Sequence, residues 1–345
     1  MIKKHLIVSG FWGVFLLLTS CKTQQDSLLP PDNQTPTTYW KNIHEDSLAK
    51  NLNILASAEF EGRRTGELGQ KRAANFIAEY YKRLGISHPR GTADYFQEIP
   101  ASFMRNASMK LKDSENVWAY IEGTEKPDEI LIISAHYDHL GILLDQIYFG
   151  ADDNASGTVA LMEIARIFKQ IYNQGIKPKR SVLFLHVSGE EFGLFGSKYY
   201  VENPIFSLKN TIANLNIDMI GRRSKEYTKP DDYIFLVGSK KLSDDLHYLS
   251  EKANIESVNL SLDYKFDHEN DPQQIYYRSD HYNFAKNNIP VIFYYNGTHE
   301  DYHLPTDTPD KIDFPLMKKR VQLIFETAWK LVNETERPKL NSKTN

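Results

Sequence analysis

Apolar residues recur at two different spacings along the chain from about residue 40 onward. Within residues 68–84, Ala73, Ile77 and Tyr81 recur at the spacing of one helix face, whereas residues 181–187 (SVLFLHV) form a continuous apolar run. A run of that kind is typical of a strand that is covered on both faces. The same reasoning predicts helices over 44–56, 68–84, 156–171, 193–202, 241–252 and 315–333, and strands over 116–122, 130–135, 181–187, 211–217, 233–238 and 290–295.

The alternation of strands and helices predicts the fold class. We expect an α/β fold of three layers, in which a central mixed, mostly parallel sheet lies between two layers of helices. In sheets of this kind, ligands bind at the carboxyl ends of the strands. The residues that directly follow each predicted strand are therefore the first candidates for a functional site.

The amino terminus differs from the rest of the chain. Lys3 and Lys4 precede an apolar stretch from Leu6 to Leu18, which is too short to span a membrane and fits the core of a secretory signal. Residues 18–21 (LTSC) resemble a bacterial lipobox and end in Cys21, the only cysteine. The resemblance implies cleavage before Cys21 and a lipid on its thiol. An ordinary signal peptide with an incidental cysteine is the alternative.

The remaining composition indicates one globular domain. Residues 1–21 are predicted as a lipoprotein signal peptide, the polar residues 22–38 as a flexible tether, 39–335 as the globular domain and 336–345 as a disordered tail. The net charge is -4 and no basic stripe is present, which argues against nucleic acid as a partner. We expect a membrane partner only through the lipid, which would place the chain in the bacterial cell envelope, at the periplasmic face or cell surface.

Histidine and acidic residues gather after the predicted strands. The candidates are His136 and Asp138, the pair Asp152 and Asp153, the pair Glu190 and Glu191, Asp218, and finally Tyr302 and His303. Each alone has an ordinary explanation, since an aspartate pair at a helix start is usually a cap. Their joint occurrence near the ends of strands predicts a common site. Nitrogen and oxygen ligands without thiolate suit zinc, manganese or cobalt.

Five short motifs then carry a family resemblance. AHYDH, GADDNASG, GEEFG, NIDMIG and YHLPTDT, in this order, resemble the bacterial dizinc aminopeptidases, a family of zinc exopeptidases that also contains glutaminyl cyclases. The run EFEGRRTGELGQKRAANFIAEYYKRLGI is similar to the amino-terminal segment of that family. The resemblance spans about residues 45–335. It implies the compact form, without a protease-associated insert.

The resemblance also implies a role for each motif residue. Two zinc ions per chain are expected, one bound by His136 and Asp218, the other by Glu191 and His303, with Asp153 shared between them. A shared carboxylate is what two adjacent metal ions require. Asp138 would orient the His136 ring. Glu190 would be the general base, and Tyr302 is a candidate donor to the oxyanion. A cis peptide bond is expected between Asp153 and Asn154.

The substrate site is less defined by the sequence. Arg278, Asp280 and His281 resemble a family segment near the substrate pocket, and residues 257–277 form either a lid or a surface loop. His139 is assigned to the loop that follows the first motif. The expected substrates are peptides with a free amino terminus. Two alternatives stay open, a glutaminyl cyclase with one zinc ion and a non-catalytic binding lipoprotein of the same fold.

Overall fold

An eight-stranded mixed sheet lies at the centre of the molecule. The computed structural model describes Met1 and residues 38–105 and 110–342, and residues Thr37–Asn345 belong to one compact unit. The predictions for Cys21, the signal peptide and the tether up to residue 37 lie outside the described residues. The strands are β1 (Phe96–Ile99), β2 (Ser114–Ile121), β3 (Lys126–His136), β4 (Gly141–Leu143), β5 (Gln146–Tyr148), β6 (Arg180–Val187), β7 (Thr211–Ile217), β8 (Tyr233–Val237), β9 (Ser261–Asp263) and β10 (Val291–Tyr295).

The strand order brings the predicted site residues to one edge of the sheet. The order is β1-β2-β6-β3-β7-β10-β8-β9, and β6, β3, β7 and β10 run parallel to their neighbours in this group. His136 pairs with Val187 at the ends of β3 and β6, and Tyr294 pairs with Ile217 near the ends of β10 and β7. Because four parallel strands end at similar heights, the loops that follow them meet at the same edge. Strands β4 and β5 form a separate hairpin.

Helices cover both faces of the sheet, as the three-layer prediction requires. The helices are α1 (Glu45–Leu55), α2 (Leu68–Leu84), α3 (Gly157–Asn173), α4 (Phe195–Glu202), α5 (Asp244–Ile255), α6 (His281–Ala285) and α7 (Phe314–Asn333). Alternate residues of β3 belong to different clusters. Leu131 and Ile133 lie in the large core that includes α3 and α7, whereas Ile132 packs with Tyr200 of α4 and Phe284 of α6. The α/β fold of the prediction is confirmed.

Most predicted elements agree with the structure to within one or two residues. Helix α5 and strand β3 are exceptions, because α5 begins at Asp244 rather than 241 and β3 begins at Lys126 rather than 130. The side chain of Ser243 accepts a hydrogen bond from the amide of Leu246 and so caps the helix there. Strands β1, β4, β5 and β9 are short, and the sequence analysis did not predict them. None of the helices in the described part of the chain is long and apolar enough to cross a membrane.

The described part of the carboxyl-terminal tail contacts the domain. The Arg337 guanidinium donates to the carbonyl oxygens of Lys209 and Thr211, and the Asn341 amide nitrogen donates to the carbonyl oxygen of Leu242. Composition alone suggested a disordered segment from 336 onward. Residues 336–342 are instead held against the domain by these bonds.

Candidate metal centre

One imidazole and two carboxylates converge where β3 and β7 end. The Nε2 atom of His136 lies 3.2 Å from Oδ1 of Asp218 and 3.3 Å from Oδ1 of Asp153. All three side chains are 10% exposed or less. Their ligand atoms lie within 4.8 Å of one another, which makes them a group that could hold a metal ion.

A second group shares Asp153 with the first. The Nε2 atom of His303 lies 3.0 Å from Oδ2 of Asp153 and 3.1 Å from Oε2 of Glu191. His139 also reaches this group, because its Nδ1 atom lies 2.6 Å from Oε1 of Glu191. The ligand atoms of Asp153, Glu191 and His139 also lie within 4.8 Å of one another, so this group too could hold a metal ion. The structure therefore brings together all five predicted ligands, and it adds an imidazole that the sequence analysis had left in a loop.

The turn that carries Asp153 is held by the buried carboxylate of Asp307. The Asp307 carboxylate accepts hydrogen bonds from the amides of Asp152 and Asp153. The Asp152 carboxylate points elsewhere: it accepts from the amide of Gly221 at 2.6 Å and lies 3.2 Å from Nε2 of His299. Asp153 is thus the member of the pair that faces the two groups. The Asp153–Asn154 peptide bond is cis, as predicted.

A buried arginine also contacts the start of this turn. Arg63 is 1% exposed, and it donates to the carbonyl oxygens of Tyr137, Leu55, Phe149 and Gly150. Burial lowers the pKa of Arg63 to about 10, although nearby carboxylates, Asp153 first among them, act to raise it. The charge of Arg63 thus lies close enough to the carboxylates of the site to interact with them. The sequence analysis quoted Arg63 within a family segment but gave it no role.

Asp138 contacts a different partner from the one predicted. Its carboxylate accepts from the hydroxyl of Thr65 at 2.6 Å and from the amide of Glu190 at 3.3 Å. The nearest carboxylate oxygen lies 3.8 Å from Nδ1 of His136, too far for a hydrogen bond. That ring nitrogen lies 3.2 Å from the carbonyl oxygen of Asp138 instead. The backbone of Asp138 therefore orients the His136 ring, while its carboxylate holds the loop of Glu190.

A pocket opens beside the two groups. Three acidic side chains line one side of it: Asp153, Glu190 and Asp218. Apolar and aromatic side chains and one arginine line the rest: Met219, Ile275, Arg278, Phe293, Tyr295 and Tyr302. The ring of Tyr302 stacks on His303 with centroids 3.9 Å apart. Ile275 belongs to the segment for which a lid was one interpretation.

Residues 278–281 lie partly at the pocket and partly in the core. Arg278 lines the pocket and is exposed. Ser279 donates its hydroxyl to Oδ2 of Asp218 at 2.7 Å. Asp280 and His281 are fully buried and do not line the pocket. Asp280 accepts from Ser197 at 2.5 Å, and the His281 ring stacks on Phe293. Only Arg278 of the predicted pocket residues is therefore placed to meet a substrate.

The pKa of Glu190 is shifted in the opposite direction to that of Asp153. Burial, together with the neighbouring carboxylates Asp218 and Glu191, raises the pKa of Glu190 well above its usual range. Burial would also raise the pKa of Asp153, but hydrogen bonds from His136 and His303 outweigh it and lower that pKa well below its usual range. Glu190 therefore has the greater tendency to take up a proton.

The comparisons with known proteins agree on one class. Residues 116–328 match the sequence profile of peptidase family M28. A probable aminopeptidase of Saccharomyces cerevisiae is 26% identical over 319 residues, which are 88% of this chain and 79% of the yeast protein. The aminopeptidase YwaD of Bacillus subtilis is 26% identical over 256 residues, which are 69% of this chain and half of the Bacillus protein.

Solved structures share the fold at lower identity. The LapA aminopeptidase of Legionella pneumophila superposes with a TM-score of 0.67 at 21% identity, and covers 94% of this chain and 81% of its own. A zinc aminopeptidase of Bacillus subtilis gives a TM-score of 0.64 at 16% identity, and covers 88% of this chain and 99% of its own. At these identities the likeness establishes the architecture.

Proposed function

Because this chain belongs to peptidase family M28 and is a zinc peptidase, we propose that it is an aminopeptidase with two zinc ions and Glu190 as its general base. The observation that carries the proposal is the pair of ligand groups that share Asp153 beside a pocket. Two metal ions about 3.5–4 Å apart need such a shared carboxylate.

The donor distances fit zinc. In the proposal His136, Asp153 and Asp218 hold one ion, and Asp153, Glu191 and His303 hold the other. Tetrahedral zinc with ligands at 2.0–2.2 Å keeps its donor atoms ~3.4 Å apart. The distances from the Nε2 atoms of His136 and His303 to the carboxylate oxygens are 3.0–3.3 Å. Bound zinc supplies Lewis acidity, which polarises a carbonyl group and acidifies water.

Glu190 is suited to move the proton. It lines the pocket together with the acidic ligands Asp153 and Asp218, and it is a member of neither ligand group. Burial and the neighbouring carboxylates raise its pKa, which makes it a stronger base than an exposed glutamate. The amide of Glu190 donates to Asp138, which fixes the loop that carries it. In this proposal Glu190 takes a proton from water and delivers it to the leaving amine.

The pocket suits the first residue of a peptide. Met219, Ile275 and Phe293 offer an apolar wall for one side chain, and the acidic side offers partners for a free ammonium group. In this proposal Tyr302, which stacks on His303 and lines the pocket, donates its hydroxyl to the developing oxyanion.

A metal count together with a substrate panel tests this function. The purified protein is expected to hold two zinc ions per chain by elemental analysis. It should cleave aminoacyl p-nitroanilides but not their amino-blocked counterparts, because a blocked amine cannot pair with the carboxylates. Chelation should abolish cleavage and added zinc should restore it.

Two other outcomes of that experiment would replace the proposal. One zinc ion per chain with cyclisation of glutaminyl peptides would identify a cyclase. Absence of both zinc and cleavage would identify a binding protein that kept the fold. The shared Asp153 favours two ions, since a single ion needs only one of the two ligand groups.

We also propose that the mature chain is attached to the bacterial cell envelope by a lipid on Cys21. The support is the positive start, the short apolar stretch and the lipobox-like residues that end at the single cysteine. Cys21→Ser is expected to abolish incorporation of a labelled fatty acid and to move the protein out of the membrane fraction. Recovery of the wild-type protein in the soluble fraction, without label, would refute the attachment.

A further inference from the structure

We propose that His139 is a positioning residue that donates its Nδ1 proton to Oε1 of Glu191 and so leaves Oε2 as the oxygen that binds the second ion. This inference rests on the two-zinc function proposed above. It assigns a role to an imidazole that lies beside the centre without belonging to the five predicted ligands.

The short distance between His139 and Glu191 indicates a hydrogen bond between them rather than two ligands of the same ion. Nδ1 of His139 lies 2.6 Å from Oε1 of Glu191, slightly shorter than the ~2.7–2.9 Å of a charge-assisted N–H···O hydrogen bond. Two donor atoms on one tetrahedral zinc ion would be ~3.4 Å apart. His303 keeps 3.1 Å to the other oxygen, Oε2, as a fellow ligand would. The two imidazoles thus divide the two oxygens of Glu191 between them.

The surroundings of His139 fix both its orientation and its tautomer. The side chain is fully buried, and its backbone amide donates to the carbonyl oxygen of Arg63 at 3.1 Å. The ring packs so closely on Gly150 that a Cβ atom there would lie 2.5 Å from Cδ2 of the ring. An ionised carboxylate oxygen can only accept, so the proton is on Nδ1. The Nε2 atom has no hydrogen-bond partner among the described residues, which agrees with this tautomer.

The first ligand group uses the same arrangement with a different donor. Asp218 presents Oδ1 to His136, while its Oδ2 accepts from the hydroxyl of Ser279 at 2.7 Å. Glu191 presents Oε2 to His303, while its Oε1 accepts from His139. Each unshared carboxylate therefore has one oxygen for an ion and one oxygen held by the protein. Such outer contacts orient a ligand before the metal arrives.

Substitutions that move the donor by one atom test the assignment. The side-chain nitrogen of asparagine takes the place of Nδ1, whereas that of glutamine takes the place of Nε2, and leucine offers no donor. His139→Gln and His139→Leu are expected to lower the affinity for one of the two zinc ions about 10- to 100-fold, and to leave the affinity for the other unchanged. His139→Asn should stay within about 3-fold of the wild type. Ser279→Ala should lower the affinity for the other zinc ion by a similar factor.

The measurement is a chelator-competition titration of the metal-free protein, with its melting temperature recorded in parallel. A loss of zinc affinity that Asn restores and Gln does not, at similar metal-free melting temperatures, supports the assignment. Unchanged affinity in all His139 variants, or rescue by Gln alone, overturns it. Should Leu prevent folding, the Asn and Gln pair still decides. A wild-type count of one zinc ion would instead refute the two-zinc function itself.

Discussion

Replacing Glu190 by glutamine is expected to lower kcat by about 10²- to 10⁴-fold, the usual contribution of a general base. Glutamine has nearly the same shape but cannot accept the proton. Because Glu190 is in neither ligand group, the variant should keep both zinc ions. The measurement is steady-state hydrolysis of an aminoacyl p-nitroanilide, with elemental analysis of the same preparation.

The adjacent glutamate provides a matched control. Glu191→Gln removes a charge one residue away, but here the Oε2 atom lies 3.1 Å from His303 and the side chain is 3% exposed. This variant is expected to lose zinc from one site, and its activity should recover in part at high zinc concentration. Wild-type kcat in Glu190→Gln, with zinc retained, would rule out the base assignment.

Asp153→Asn is expected to have the largest effect on metal binding, because both ions lose a ligand at once. If ~10–16 kcal/mol of zinc binding is divided among four ligands, each ion loses affinity by about 10²-fold or more. The nearest contacts of Asp153 are the imidazoles of His136 and His303 at 3.0–3.3 Å. Isothermal titration of the metal-free variant with zinc gives both dissociation constants, and cleavage should fall at least as far.

Asp152→Asn is the control for that variant, since it makes the same change one residue earlier. Asp152 accepts from the amide of Gly221 and faces His299 rather than the ligand groups. Its replacement should lower the free energy of unfolding by about 1–3 kcal/mol through imperfect hydrogen bonding, with two zinc ions still bound. Equal zinc affinities in the two variants would show that Asp153 has no special position.

The parts of the site that the sequence predicts lie at the ends of regular elements. A continuous apolar run marks β6, so the two glutamates that follow it can be placed at the edge of the sheet without further information. The same holds for His136 after β3 and for Asp218 after β7. Parallel strands then bring these positions together, because their carboxyl ends share one edge.

The parts that the sequence does not predict depend on contacts between distant loops. His139 meets Glu191 across 52 residues, Arg63 meets the carbonyl of Gly150 across 87, and Asp307 meets the amide of Asp152 across 155. None of these three lies on a periodic pattern that marks it. The burial of Arg63 is a tertiary property that no local pattern marks.

The position of β10 between β7 and β8 affects how the chain folds during its synthesis. Until residue 295 has left the ribosome, β8 has no neighbour on its inner side, and β7 has an unpaired edge. Domains generally fold as units, and non-local strand pairing is slow. The imidazole of His303 arrives later still. A nascent chain cut short before that point therefore lacks the strand that joins β7 to β8 and one imidazole of the proposed ligand set.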